Sequence, residues 1–169
     1  MPKVKMAPPI GQLELILTPE QIALLREGYA ADPAWLANYP ADVYNNLYPG
    51  GSKAFDSFVN SVFVHGDPAK PPTTRMIGKD RERVVIALLA SQPNAEFLAI
   101  HLYWGLVEGL SVDEISQIIL VVGGYNGYSF YTNGLSVFAE TLTALKGSCD
   151  DGQPVTPEQA LAAIQAAFV

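Results

Sequence analysis

Apolar residues recur at helical spacing along most of the chain, and short stretches rich in Pro, Gly and polar residues separate the runs. The same four residues, Thr-Pro-Glu-Gln, open two of these runs, at Thr18 and at Thr156. In each the Thr can cap, the Pro brings the preset φ of a first helical position, and the Gln can return a bond to the cap. This predicts helices over about 19–30 and about 157–167. Asp32-Pro33 predicts a short helix near Trp35, Pro40 another near Val43 and Leu47, and Ser52 a third in which Phe55, Phe58, Val59, Val62 and Phe63 recur at helical spacing. The stretch from His65 to Gly78, with Pro68, Pro71 and Pro72, reads as a connector. Three helices follow in quick succession: Asp80 to Ser91; Asn94 to about Glu108, stopped by Gly109; and Ser111 to about Val122, opened by the capping box Ser111 to Glu114 and stopped by Gly123-Gly124. A further helix is predicted from about Ser129 to Lys146. Only Leu13 to Leu17 is open to an extended conformation, so the fold class expected is all-α, a single-domain helical bundle. Its parts are a front section over 1–70, a core over 75–145, and a loop and helix over 146–169.

From Phe97 to Val107 the chain carries no formal charge and is apolar on every side of a helical projection, which predicts a helix buried all round. His101 in its middle therefore needs a partner, since an unpaired buried polar group costs about 1–3 kcal/mol. The preceding helix offers Glu82. Two helices joined by the short Ser91-Gln92-Pro93 turn should pack antiparallel. At a rise of roughly 1.5 Å per residue, Glu82 and His101 lie at similar distances on either side of that turn and can meet. A carboxylate on one ring nitrogen fixes the tautomer and directs the other toward proton transfer. Plainer readings stand beside this one: Glu82 as a carboxylate at a helix start, His101 as a core histidine satisfied by the backbone, and His65 as a C-terminal dipole partner. Trp104 lies one turn from His101 on the same face, as packing or as a pocket wall.

Composition narrows the classes. The 169 residues are 49% hydrophobic and 16% charged, apolar enough to suggest that part of the surface is covered in a homo-oligomer. Ten Lys and Arg against seventeen Asp and Glu give a formal net charge of −7, which argues against nucleic acid as a partner. One cysteine, Cys149, and two histidines leave no disulfide and no cysteine-based metal site, so neither metal nor cofactor is expected. No apolar run approaches about 18 residues, so no membrane span is expected, and the N-terminus makes a poor signal peptide. A cytoplasmic location is the resulting expectation.

The order Arg81-Glu82, His101, Gly109-Leu110-Ser111-Val112-Asp113-Glu114-Ile115, Tyr125-Asn126-Gly127-Tyr128 and Asn133 resembles the carboxymuconolactone decarboxylase-like family, which shares the alkylhydroperoxidase D-like fold. The resemblance covers about residues 75–145. It implies that Glu82 and His101, 19 residues apart, match the family's carboxylate and imidazole. In the peroxidase branch the two reactive cysteines would fall at Asn94 and Phe97, so a dithiol peroxide cycle is closed to this chain. The decarboxylase branch is the better likeness. It implies catalytic roles for His101 and Glu82 and places Glu96, Trp104, Tyr125, Tyr128 and Asn133 around a small-molecule substrate. It also implies a ring of identical subunits, a trimer or a hexamer. Arg75, Lys79, Arg81 and Arg83 are candidates to meet a substrate carboxylate. The expected function is a cofactor-free acid–base enzyme acting on a carboxylated or lactone-like molecule. The alternatives are another proton-transfer reaction of the same family, or a non-catalytic oligomeric binding protein.

Overall fold

The computed structural model describes residues 9–36, 38–39 and 78–168, and every element among them is a helix. The helices expected near Val43 and from Ser52, the connector after His65, and Arg75 lie outside the described residues. The labelled elements are α1 (Ile10–Leu13), α2 (Pro19–Ala31), α3 (Gly78–Ala90), α4 (Ala95–Val107), α5 (Val112–Asn126), α6 (Tyr128–Ser148) and α7 (Pro157–Phe168). Among the described residues no helix is long and apolar enough to cross a membrane.

The helix starts follow the sequence closely. Thr18 accepts from the Gln21 amide while the Gln21 side chain accepts from the Thr18 amide, and Thr156 and Gln159 repeat the exchange. Ser111 and Glu114 form the same reciprocal cap on α5. Each exchange satisfies two amides that a helix start otherwise leaves unbonded. The end of α4 is a Schellman turn: Gly109 takes φ 103°, its amide donates to Leu106 O at 3.2 Å, and the Leu110 amide donates to Gly105 O at 2.8 Å.

One open reading is settled and one expectation fails. Leu13 to Leu17 is not extended; it finishes α1 and turns into the α2 cap, with Leu13 and Leu17 both buried. Helix α5 does not stop at Gly123-Gly124 but continues to Asn126, and Gly127, at φ 113°, ends it. Gly123 serves contact instead of termination. A Cβ there would lie 2.4 Å from Tyr131 Cβ, so the missing side chain lets α6 approach α5.

Helix α4 is the centre, with every residue from Leu98 to Val107 buried and with α2, α3, α6 and α7 packed around it. Trimming one such side chain to alanine typically costs about 2–5 kcal/mol. Helices α3 and α4 are antiparallel, the start of α3 lying beside the end of α4, where a Cβ on Gly78 would meet the Glu108 carboxylate. Helix α2 crosses the other side of α4, and Arg26 donates from Nε to Leu106 O at 3.0 Å and from Nη2 to Leu110 O at 3.4 Å. Leu106 O thus takes a side-chain donor beside the Gly109 amide, and α2 is tied to the turn that ends α4.

Candidate functional site

The antiparallel register brings Glu82 from the first half of α3 against His101 in the middle of α4. His101 Nδ1 and Glu82 Oε2 are 2.8 Å apart, with Glu82 fully enclosed and His101 8% exposed. The other carboxylate oxygen, Glu82 Oε1, accepts from Arg81 Nε at 2.9 Å. A carboxylate without solvent is stable only with such partners. Trp104, one turn along α4, stacks on the His101 ring at a centroid distance of 5.6 Å, and the Arg81 guanidinium lies 5.0 Å from the centre of the Trp104 ring. Such a stack adds a cation–π contact to the ion pair.

The cluster extends beyond the residues that the sequence singles out. Glu108 caps the end of α4, where the helix dipole disfavours an anion. Its Oε1 accepts from Tyr29 Oη at 2.6 Å and lies 3.7 Å from Arg81 Nη2. Burial first, and then the bond to Glu108, push the Tyr29 hydroxyl well above the ordinary tyrosine range. Tyr103 is raised as well, by burial first and then by Tyr29, and its hydroxyl has no hydrogen-bond partner among the described residues. One signal in the sequence marks Glu108: an acid immediately before the terminating Gly109 opposes the dipole and so calls for a partner. Tyr29 carries no such mark.

The remaining candidates are dispersed. Glu96 lies five residues before His101 on α4, about 140° around the helix from it, and faces Tyr39, whose hydroxyl it helps to raise after burial. Tyr125 and Tyr128 are 90% and 76% exposed, Asn133 is exposed, and none has a hydrogen bond or ring contact with Glu82 or His101. Lys79 and Arg83 both pair with Glu114, at 3.1 and 2.7 Å, and Arg83 also with Asp80. Of the basic candidates described, only Arg81 stands beside the His–Glu pair.

Cys149, expected in a loop, follows α6 directly and is buried, its thiol donating to Gln21 O at 3.7 Å. Burial, and after it Asp150 and Asp151, push that thiol up, which keeps it protonated and unreactive. A surface groove of about 480 Å³ lies between the α1–α2 connection and the start of α5, lined by Leu15, Ile22, Arg26, Leu110 and Val112 among others; neither Glu82 nor His101 lines it. Among the described residues no group of three or more His, Cys, Asp or Glu side chains is placed to hold a metal ion. No family model, no curated protein and no solved structure gives a significant match to the chain.

Proposed function

We propose that the chain is a carboxymuconolactone decarboxylase-like, cofactor-free enzyme in which His101 moves a proton to or from a small carboxylated or lactone-like substrate. The observation that carries the reading is the 2.8 Å contact between His101 Nδ1 and a fully enclosed Glu82. With Nδ1 committed to the carboxylate, any proton that His101 exchanges passes through Nε2. Arg81 stands against both carboxylates, Glu82 and Glu108. In a decarboxylation the carbon–carboxylate bond breaks, carbon dioxide leaves, the electron pair passes into the lactone carbonyl, and the imidazolium returns a proton to carbon. Donors to the developing oxyanion would come from the tyrosines and Asn133 of the Tyr125–Asn133 stretch only if another subunit brings them to the site. An assembly of identical subunits, a trimer or a hexamer, belongs to the same reading. Supporting it, Leu120, Val121, Tyr125 and Tyr128 are exposed within a stretch, Ile115 to Ala139, that has no formal charge in a chain of net charge −7.

A second reading, a binding protein in which the His–Glu pair only satisfies the core, is favoured by the 8% exposure of His101. His101→Gln separates the two. The enzyme reading expects stability to fall by about 1–2 kcal/mol and turnover by roughly two to four orders of magnitude. Carbon dioxide release from carboxymuconolactone and related lactones is the first assay, with light scattering for the assembly. A folded His101→Gln protein with full activity would remove the catalytic assignment.

A further inference from the structure

Four side chains outside the reacting pair form one connected path to it. Tyr29 Oη donates to Glu108 Oε1 at 2.6 Å, Glu108 Oε1 lies 3.7 Å from Arg81 Nη2, and Arg81 Nε donates to Glu82 Oε1 at 2.9 Å. Glu82 Oε2 then meets His101 Nδ1 at 2.8 Å, and the Trp104 ring contacts both the Arg81 guanidinium and the His101 ring. Because one oxygen of Glu82 serves Arg81 and the other serves His101, the plane of that carboxylate turns only if one of the two bonds is given up. The orientation of Arg81 is therefore passed on to the imidazole. Arg81 is 5% exposed and carries its charge in a rigid planar fork, so fixing its two ends fixes the whole group.

Glu108 stands at the far end, 3.7 Å from Nη2 as an ion pair longer than a hydrogen bond, and it is itself held. Its position at the end of α4 is electrostatically unfavourable, yet the carboxylate lies against Gly78 at the start of α3, where a Cβ would come within 2.1 Å of Oε2 and where the dipole favours an anion. The hydroxyl that completes its setting comes from α2, an element outside the 75–145 core. Arg26, one turn before Tyr29 on α2, bonds Leu106 O and Leu110 O, so the same helix is fastened twice to the end of α4.

We propose that Arg81 is a positioning residue for His101, and that Tyr29, acting through Glu108, holds Arg81 in place. The inference rests on the acid–base reading for its role in catalysis, but the geometric claim can be read on the imidazole alone. Tyr29→Phe removes one oxygen and leaves the ring. Long-range proton–nitrogen spectra report the tautomer of His101 and the exchange of its Nδ1 proton, with the signals assigned by their loss in His101→Gln. Tyr39→Phe is the matched control, because Tyr39 Oη accepts from Gln165 at a similar 2.6 Å but, among the described residues, shares no hydrogen bond or ring contact with the path. In Tyr29→Phe the Nδ1 proton is expected to exchange at least about fivefold faster than in wild type, with Tyr39→Phe unchanged. Arg81→Lys, which keeps the charge and loses the fork, should give a larger change than Tyr29→Phe, and it remains informative where Arg81→Gln does not fold. With a substrate in hand, kcat should fall roughly fivefold in Tyr29→Phe with KM unchanged. A His101 signal that responds equally to Tyr29→Phe and Tyr39→Phe would overturn the inference. A shifted imidazole with unaltered turnover would leave the positioning intact and remove the catalytic reading instead.

Discussion

Tyr29, half-buried, and Tyr103, fully buried, are neighbouring phenols with different settings for the hydroxyl: the first donates to Glu108 at 2.6 Å, and the second has no partner for its hydroxyl among the described residues. Removing a paired hydroxyl strands its acceptor, whereas removing an unpaired one relieves a desolvated group. Tyr29→Phe should therefore lose about 1–2 kcal/mol in urea unfolding, and Tyr103→Phe should be neutral or gain up to about 1 kcal/mol. Equal losses would mean that the Tyr103 hydroxyl is satisfied after all. The contrast also explains what could be read from the chain. Glu82 and His101 are legible as a pair because helix rise and a short turn fix both positions along one axis. Tyr29 is not legible, since nothing local to α2 states which face of α4 it will cross. Tertiary contacts over 79 residues of separation leave no periodic trace.

At the level of elements the capping residues were decisive and the glycines ambiguous. Thr18, Ser111 and Thr156 start helices where the sequence places them, because a capping box is settled within four residues. Gly123-Gly124 resembles a stop signal equally well, yet the helix runs through it, for packing between α5 and α6 offsets the low helix propensity of glycine. The two positions then predict opposite outcomes for the same substitution. Gly123→Ala places a Cβ 2.4 Å from Tyr131 Cβ and should cost about 1–3 kcal/mol. Gly124→Ala meets nothing within 4 Å and should stabilise by up to about 1 kcal/mol. Urea midpoints that move in the same direction for both would show that α5 and α6 do not pack as described.

Across the whole molecule, folding is linked to protons at both ends of the pH scale through different groups. On the acid side, the Ser111 amide first, and then Arg83 and Lys79, hold the Glu114 carboxyl down to about 2 from an ordinary 4.5. Its folded pKa lies below the unfolded one, so its contribution is present above pH 4.5 and is lost as the pH falls toward 2. Glu114→Gln keeps an oxygen for the Ser111 cap and removes the charge, and should flatten that limb of the melting profile. On the alkaline side the sign reverses. Tyr29 and Tyr103 have folded pKa values raised above the unfolded value of 10, by burial first in both cases. Below pH 10 both states keep the proton and nothing changes; above it the unfolded chain releases protons that the folded chain retains, and stability falls. Because Tyr29 holds Glu108, which would stand beside any phenolate formed there, ionisation also breaks the bond between α2 and the end of α4. The double variant Tyr29→Phe/Tyr103→Phe should lose stability less steeply than wild type between pH 10 and about pH 11, whatever its stability at neutral pH. Urea midpoints taken across that range measure the slope directly, and parallel curves for the two proteins would mean that neither phenol resists ionisation in the folded chain.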